Sequence, residues 1–349
     1  MRWADHKNAY DTTKKTPCID TAPFVWYIFL NMVAKKLKNK TVLVTGGTGS
    51  IGSEIVRQLL KTKARQIRIF SRDEHKQHEL KNEIGHDDRL RFLIGDIRDK
   101  ERMDFAFKGV DIIFHAAALK HVPVCEYNPF EAVKTNIIGT QNVIEIALRH
   151  NLEKVLAIST DKAADPSSVL GASKLMMERL VTAANATIGQ NRARFASVRF
   201  GNVLNSRGSV VDLWRKQIET GHAVTVTDLR ATRFFMDVPA AVKLVFSALQ
   251  TMQGGEIFVL KMKPARKVID FAKEVISRYG AGKRVRIKLI GLRPGERLHE
   301  TLLTEDESSH TIELKDMFVI LPQNVGVDMP SLAQYKGAKK APHGAYRSH

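Results

Sequence analysis

From Lys40 onward, short β-branched runs alternate with amphipathic stretches of helical length, and this alternation restricts the chain to one broad architecture. The runs are Thr41 to Thr45, Gln66 to Phe70, Arg91 to Ile94, Asp111 to His115, Val155 to Ser159 and Phe195 to Arg199. Between them, segments such as Gly52 to Lys61 and Pro129 to Arg149 repeat apolar residues at intervals of three and four, the period of one helix face. Strand, helix and strand in succession form βαβ units, because parallel strands need a crossover that returns over the sheet. The expected fold is α/β, a Rossmann-type doubly wound parallel sheet. With 44% apolar residues the chain can cover both faces of such a sheet.

After Arg199 the pattern loosens. "FGNVLNSRGSV" and "GHAVTVTDLRATRFFMDVP" are polar, basic and loop-like, and a helix from Pro239 to Met252, a strand from Glu256 to Leu260 and a helix from Lys267 to Tyr279 precede the turn-rich "GLRPGERLHE". This order predicts a dinucleotide-binding domain over residues 38–200 and about 230–260, interleaved with a smaller substrate domain over about 201–229 and 261–325. Residues 326–349 show no hydrophobic period and read as a frayed basic tail. Residues 1–37 read as an extension outside the fold, with Met32 the expected natural start. The apolar run Ala22 to Ala34 is too short to cross a bilayer, which takes about 20 residues, and no stable membrane insertion is expected.

The formal charge of +18 raises the question of a nucleic-acid partner. Half of it sits at the two ends: residues 1–40 hold eight Lys/Arg against three Asp/Glu, and residues 331–349 hold four Lys/Arg and no acid. The remainder suits anionic small molecules such as nucleotides as readily as DNA. No basic stripe interleaved with aromatics and no recognition-helix pattern occurs, so no nucleic-acid partner is expected. Only Cys18 and Cys125 are present, without a CxxC, which excludes a disulfide framework and a structural zinc site and suits a reducing cytoplasm.

"TGGTGSIG" joins the first strand to the first helix. Gly46, Gly49 and Gly52 give the tight turn, the close backbone approach to a pyrophosphate and the close packing of helix on strand that a dinucleotide site needs, with Thr48, Ser50 and Ile51 in the same turn. The second strand runs into "FSRDE", where Ser71 and Arg72 come first and Asp73 next. Arg72 can pair with a 2′-phosphate and Asp73 with a 2′-hydroxyl; the order favours NADP over NAD. "GDIRD" offers Asp96 as an acceptor for the adenine amino group, with Ile97 beside it, and "FHAAALKHVP" offers Ala116, Ala117 and Ala118, small enough to leave room for the cofactor. Lys120 is a candidate substrate contact. His115 and His121 have no third ligand at suitable spacing, so no metal site is expected.

"TGGTGSIG", "SRDE", "GDIRD", "AAALKHVPVCEYNPFEAVKTNIIGTQNV", "STDKAADP", "GNVLNSRGSV", "TRFFM" and "GLRPGERLHE" occur in this order. Over about residues 38 to 320, this series resembles the UDP-N-acetylglucosamine 4,6-dehydratases of the extended short-chain dehydrogenase/reductase superfamily, in their short branch without an N-terminal membrane domain. The resemblance implies oxidation at C4 of the sugar, loss of the C5 proton with the C6 hydroxyl, and return of the hydride to C6. It assigns Asp161 as acid toward the C6 hydroxyl and Lys162 as base at C5, and cationic Lys174 nearby is expected to depress the Lys162 pKa. Lys174 itself looks like the end of a Tyr-x-x-x-Lys pair, yet Leu170 stands where many relatives carry tyrosine and some methionine. Thr160 is therefore expected to take the C4 hydroxyl proton, directly or through water, with Lys174 on the nicotinamide ribose.

By the same resemblance Asn202, Arg207, Arg233, Arg293 and Glu296 match positions that hold the uridine, ribose and diphosphate of a UDP-N-acetylhexosamine, arginine being suited to phosphate by its forked donors. It further implies a homo-oligomer, and "ASKLMMERL" is similar to the C5-inverting members. Two other readings stay open: a nucleotide-sugar 4-epimerase, which needs no base at C5, and a catalytically silent NADP-binding sensor or scaffold.

Overall fold

Thr41–Thr45, strand β1, is buried at all five positions, as a central parallel strand covered on both faces must be. The computed structural model describes residues 35–187, 189, 192–204, 206, 208–262, 264–282, 284–323 and 330–349. Around β1 are β2 (Gln66–Ser71), β3 (Leu90–Ile94), β4 (Ile112–His115), β5 (Lys154–Ile158) and β6 (Arg194–Arg199). They alternate with helices α1 (Ser50–Leu60), α2 (Glu74–Ile84), α3 (Lys100–Phe107), α4 (Val122–Tyr127), α5 (Pro129–Ala132), α6 (Gly139–Arg149) and α7 (Val169–Ala183). The strands pair in parallel in the order β3-β2-β1-β4-β5-β6. The chain reverses direction across the sheet between β1 and β4, and the carboxyl ends of the strands there open a crevice for ligands.

The second half adds β7 (Asn202–Val203), α8 (Val210–Glu219), β8 (Val224–Val226), β9 (Thr232–Met236), α9 (Val238–Thr251), β10 (Ile257–Leu260), β11 (Ala265–Lys267), α10 (Val268–Tyr279) and β12 (Ile287–Leu289). After these come β13 (Thr301–Leu303), α11 (Glu305–Ser308), β14 (Thr311–Glu313), β15 (Met317–Ile320), β16 (Lys339–Lys340) and β17 (Tyr346–Arg347). Strand β10 joins β6 in parallel, and β15, β14 and β16 extend the same sheet antiparallel, giving ten strands. One face is packed by Ile55, Leu59, Val245 and Phe246 of α1 and α9, the other by Phe107, Val143, Ile146 and Val181 of α3, α6 and α7. A separate small core gathers Trp214, Val224, Val226, Phe271 and Val275 from α8, β8 and α10.

Three features of the domain division differ from expectation. Leu37 is fully buried in the main core and Lys36 Nζ donates to Gln250 O, so the fold begins before residue 38; residues 1–34 lie outside the described residues, and Met32 with them. β9, expected in the large domain, pairs instead with β7 and β11 in a three-stranded sheet, while Thr311–Ile320 belong to the large sheet. Residues 330–349 are docked instead of frayed: Tyr335 OH donates to buried Glu256, Tyr346 OH donates to Met262 O, β16 pairs with β14 and β17 with β13. Strands of two or three residues carry too little periodicity to be read, and two tyrosines with buried partners replace a hydrophobic stripe as the anchor.

The long helix expected from Pro129 to Arg149 is interrupted by a π-helical turn at Val133–Ile138. That wide turn aims Asn136 inward, where Nδ2 donates to Leu119 O and Ser173 Oγ and Oδ1 accepts from Leu119 N.

Candidate active site

The turn after β1 is built for close contact. Gly46 has φ +63°, and a Cβ added there would come within 2.7 Å of Ala117 Cα; one on Gly52 would lie 2.3 Å from Gly46 O. Helix α1 follows its N-cap Gly49 with no side-chain cap and no acid in its first turn, and that positive helix end faces a cleft of about 830 Å³. Thr48, Ser50 and Ile51 line the same cleft, as do Ser71, Arg72, Asp73, Asp96, Ile97 and Ala116 to Ala118. These residues fit a dinucleotide: glycine lets the backbone come near, and a positive helix end meets phosphate.

At the end of β2, Asp73 is committed to the protein. Its Oδ1 caps α2 by accepting from Lys76 N at 3.0 Å, and Lys76 holds its pKa down. Asp96 accepts from Arg98 at 2.7 and 2.9 Å; burial opposes its ionisation, but the Arg98 hydrogen bonds outweigh it and its pKa is lowered. Arg72 touches Asp96 only at 3.4 Å and remains open to solvent.

Three polar side chains follow β5. Ser159 N and Asp161 N continue the ladder onto Val198 O and Phe200 O, and Asp161–Ala163 then turn sharply. Gly171 lets α7 lie against this turn, since a Cβ there would meet Lys162 O at 2.3 Å. Thr160 Oγ1 donates to Asp161 Oδ1 at 2.7 Å, and Lys162 Nζ donates to the same oxygen at 3.1 Å and to Glu300 Oε1 at 3.0 Å. Asp161 and Glu300 are buried, whereas the Lys162 side chain keeps 30% of its surface exposed in the cleft. Burial alone would raise Asp161, but the Lys162 charge holds it down to about 2. Burial and the Asp161 charge push Glu300 up to about 8.

The family model described as "Polysaccharide biosynthesis protein" matches residues 42–322. The chain belongs to this family. It is similar to the UDP-N-acetylglucosamine 4,6-dehydratase (inverting) of Campylobacter jejuni subsp. jejuni serotype O:23/36, 43% identical over 294 residues that cover 84% of this chain and 86% of the relative. It is also similar to the UDP-glucose 4-epimerase of Rickettsia canadensis, 39% identical over 81% of this chain and 83% of that one. Among solved structures, Pen from Bacillus thuringiensis superposes with a TM-score of 0.83 at 44% identity, covering 89% of this chain and 93% of Pen.

In this member of the polysaccharide biosynthesis family, one expectation about Lys162 fails. Lys174 does not depress it; burial opposes its charge, but Asp161 and Glu300 outweigh burial and raise its pKa above the usual lysine range. Of the two it is Lys174 whose pKa falls, down to about 8, through burial. Its Nζ donates to Ile158 O at 2.8 Å. Leu170 fills the place before it with apolar contacts to Cys125 and Ala132, offering no hydroxyl.

Toward the small core, Asn202 donates to Glu300 Oε2 at 2.6 Å, and Arg233 is paired with Glu300 at 3.2 Å and Glu296 at 2.9 Å and donates to Thr232 O and Leu298 O. Arg233 is therefore largely occupied by the protein, and Arg293 and Lys120 line the cleft wall. Arg207 lies outside the described residues. Every other site residue expected from sequence lines this one cleft. Sequence reading missed Glu300, the last residue of "GLRPGERLHE", and Asn136; a buried glutamate among basic residues leaves no local periodic signal, and only its partners single it out.

Proposed function

We propose that this protein is a UDP-N-acetylglucosamine 4,6-dehydratase that makes a UDP-4-keto-6-deoxy-N-acetylhexosamine for surface polysaccharide or glycan synthesis. The observation that carries the reading is the lysine flanked by two buried carboxyl groups at the end of β5, inside the cleft that begins at the glycine turn. Epimerisation needs no base at C5, and dehydration does. Rickettsial relatives bearing the epimerase name are the reason to keep that activity as the second reading.

NADP, when bound, supplies the hydride acceptor for C4 and the hydride donor for C6. Thr160 gives its own proton to Asp161 and keeps its oxygen lone pairs for the C4 hydroxyl proton. The proton that passes through Thr160 loads Asp161, which delivers it to the departing C6 hydroxyl as water. Lys162 takes the C5 proton and releases it to solvent while a solvent proton reaches the opposite face of C5, so the centre inverts and no proton is gained or lost over the cycle. Lys174, fixed on Ile158 O, would hold the nicotinamide ribose. Arg72 is the partner for a 2′-phosphate, which favours NADP over NAD because Asp73 is committed to capping α2. Lys120, Asn202, Arg207, Arg233, Arg293 and Glu296 hold the UDP-sugar.

The reading includes C5 inversion, a cytoplasmic location and a homo-oligomer. Support for the oligomer is the exposed apolar side chains Val124, Tyr127 and Phe130 on α4 and α5. The test is proton NMR of the purified protein with NADP and UDP-N-acetylglucosamine in deuterated buffer. A 4-keto-6-deoxy product with deuterium at C5 is expected, its ring couplings reporting the C5 configuration; a C4 epimer or unchanged substrate would overturn the proposal.

A further inference from the structure

A lysine can act as a base only without its proton, and Lys162 stands between two carboxyl groups that favour the ammonium form. The proton must leave for a nearby acceptor before C5 can be deprotonated. Glu300 Oε1, at 3.0 Å from Nζ, lies on the direct path. The other buried carboxylate offers a complement: Asp161 Oδ2 has no donor partner, and the Asp161 and Glu300 carboxyl groups are in contact. A proton on Glu300 can satisfy that orphaned oxygen.

Glu300 is held by an unusual source. Ser348, itself fully buried, accepts from Glu300 N through Oγ at 2.8 Å and donates from its own N to Glu300 O at 2.9 Å. Its Oγ also donates to Thr232 O at 3.1 Å, beside Arg233. Strand β17 brings Ser348 here by pairing with β13, which starts immediately after Glu300. One residue near the end of the chain thus fixes both backbone polar groups of Glu300 and ties them to the strand of Arg233.

We infer that Glu300 is the proton-holding partner that converts Lys162 into a base, and that Ser348 is the positioning residue that sets Glu300 against Lys162 and Asp161. In this step the Nζ–H bond breaks and an Oε1–H bond forms, the ammonium and carboxylate becoming neutral amine and neutral acid; Asp161 Oδ2 accepts the new O–H. No outside proton or co-reactant is required. The neutral pair gains ground when substrate expels water from the cleft, since an ion pair loses more solvation than a neutral one. The catalytic part of the inference rests on the dehydratase reading; the placement of Glu300 by Ser348 does not.

The charged groups that face Glu300 are Asp161 and Lys162 from the end of β5 and Arg233 from β9, with Glu296 beyond Arg233 and His299 on Thr232. Glu300 can accept a proton only when ionised, so kcat should rise as pH passes upward through its raised pKa.

The experiment compares wild type with Glu300→Gln, Ser348→Ala and Tyr335→Phe. Tyr335→Phe loosens the C-terminal segment at Glu256 without touching Glu300. Two readouts are used: kcat against pH with UDP-N-acetylglucosamine, and carbon-13 titration of the glutamate carboxyl groups in the resting protein. Expected for Glu300→Gln are a kcat loss of about 100-fold or more at unchanged NADP affinity and the disappearance of the alkaline rise. Ser348→Ala should lower kcat and move both the rise and the Glu300 resonance to lower pH, while Tyr335→Phe lowers stability and leaves both in place. Wild-type rate and pH profile in Glu300→Gln, with product still formed, would overturn the role of Glu300 and spare the dehydratase reading. Identical titration in Ser348→Ala and wild type would overturn the role of Ser348. A wild type that makes no dehydrated product but shows the shifted carboxyl, moved by Ser348→Ala, would sink the dehydratase reading and the base role while upholding the positioning.

Discussion

Lys162 and Glu300 stand 138 residues apart in the chain, yet the lysine Nζ donates to the glutamate Oε1 at 3.0 Å. The lysine comes from the turn after β5, the glutamate from the segment entering β13, and Asn202 and Arg233 hold the glutamate from two further strands. Four separate stretches therefore converge on one ionisable cluster at the mouth of the crevice. Its ionisable members lie within reach of one another, so changing one alters the protonation of the others.

Thr160→Val keeps the shape of the side chain and removes the hydroxyl that donates to Asp161. Turnover is expected to fall by about 100-fold or more, the range for loss of a general acid–base group, with NADP affinity unchanged. Steady-state kinetics with isothermal titration of the cofactor checks both halves, and near-normal turnover would refute the assignment.

Arg72→Ala should discriminate between cofactors. Loss of a charge-assisted contact to a 2′-phosphate is worth about 1.5 to 3 kcal/mol, or roughly 10- to 100-fold in NADP affinity, while NAD affinity stays within about twofold. Fluorescence titration with both nucleotides reads this directly; equal losses for the two would show that Arg72 does not meet the 2′ position.

Arg199 is fully buried, bonded to Glu178 at 2.6 and 3.0 Å and to Glu307 at 2.9 Å, and it also donates to Leu302 O. It joins α7, β6 and α11 behind the turn that follows β5. Arg199→Met leaves two carboxylates without their cation and should destabilise the fold by about 3 to 5 kcal/mol, measured by urea unfolding. A double change of Arg199→Met with Glu178→Met should recover part of that loss.

His115 is buried between Thr45 and Thr140, and burial with repulsion from Lys174 pulls its pKa down from 6.5 to about 3. Between those values the unfolded chain binds a proton that the folded protein refuses. Stability should therefore fall as pH drops from 6.5 toward 3, by up to about 1.4 kcal/mol per pH unit from this residue. His115→Gln should flatten that slope in thermal melts across the window, and an unchanged slope would assign the acid sensitivity to other groups.

The alternation of strand and helix patterns determined the large sheet from the sequence. β-branched runs with no polar face can be buried only in a covered parallel sheet, and the glycine turn fixes where its crevice begins, so β1 to β6 and the residues that line that crevice were legible. Thr160, Asp161 and Lys162 were legible because they lie side by side at one strand end.

Only the tertiary structure decided which groups surround them. It showed that Lys162 meets Glu300 instead of Lys174, that β14 to β16 extend the sheet and that Ser348 returns to the site. Local patterns record which face of an element is buried, whereas burial of a charge is settled by partners supplied from distant parts of the chain. Short antiparallel strands likewise pair with whatever edge is free, and two or three residues carry no period that could announce it.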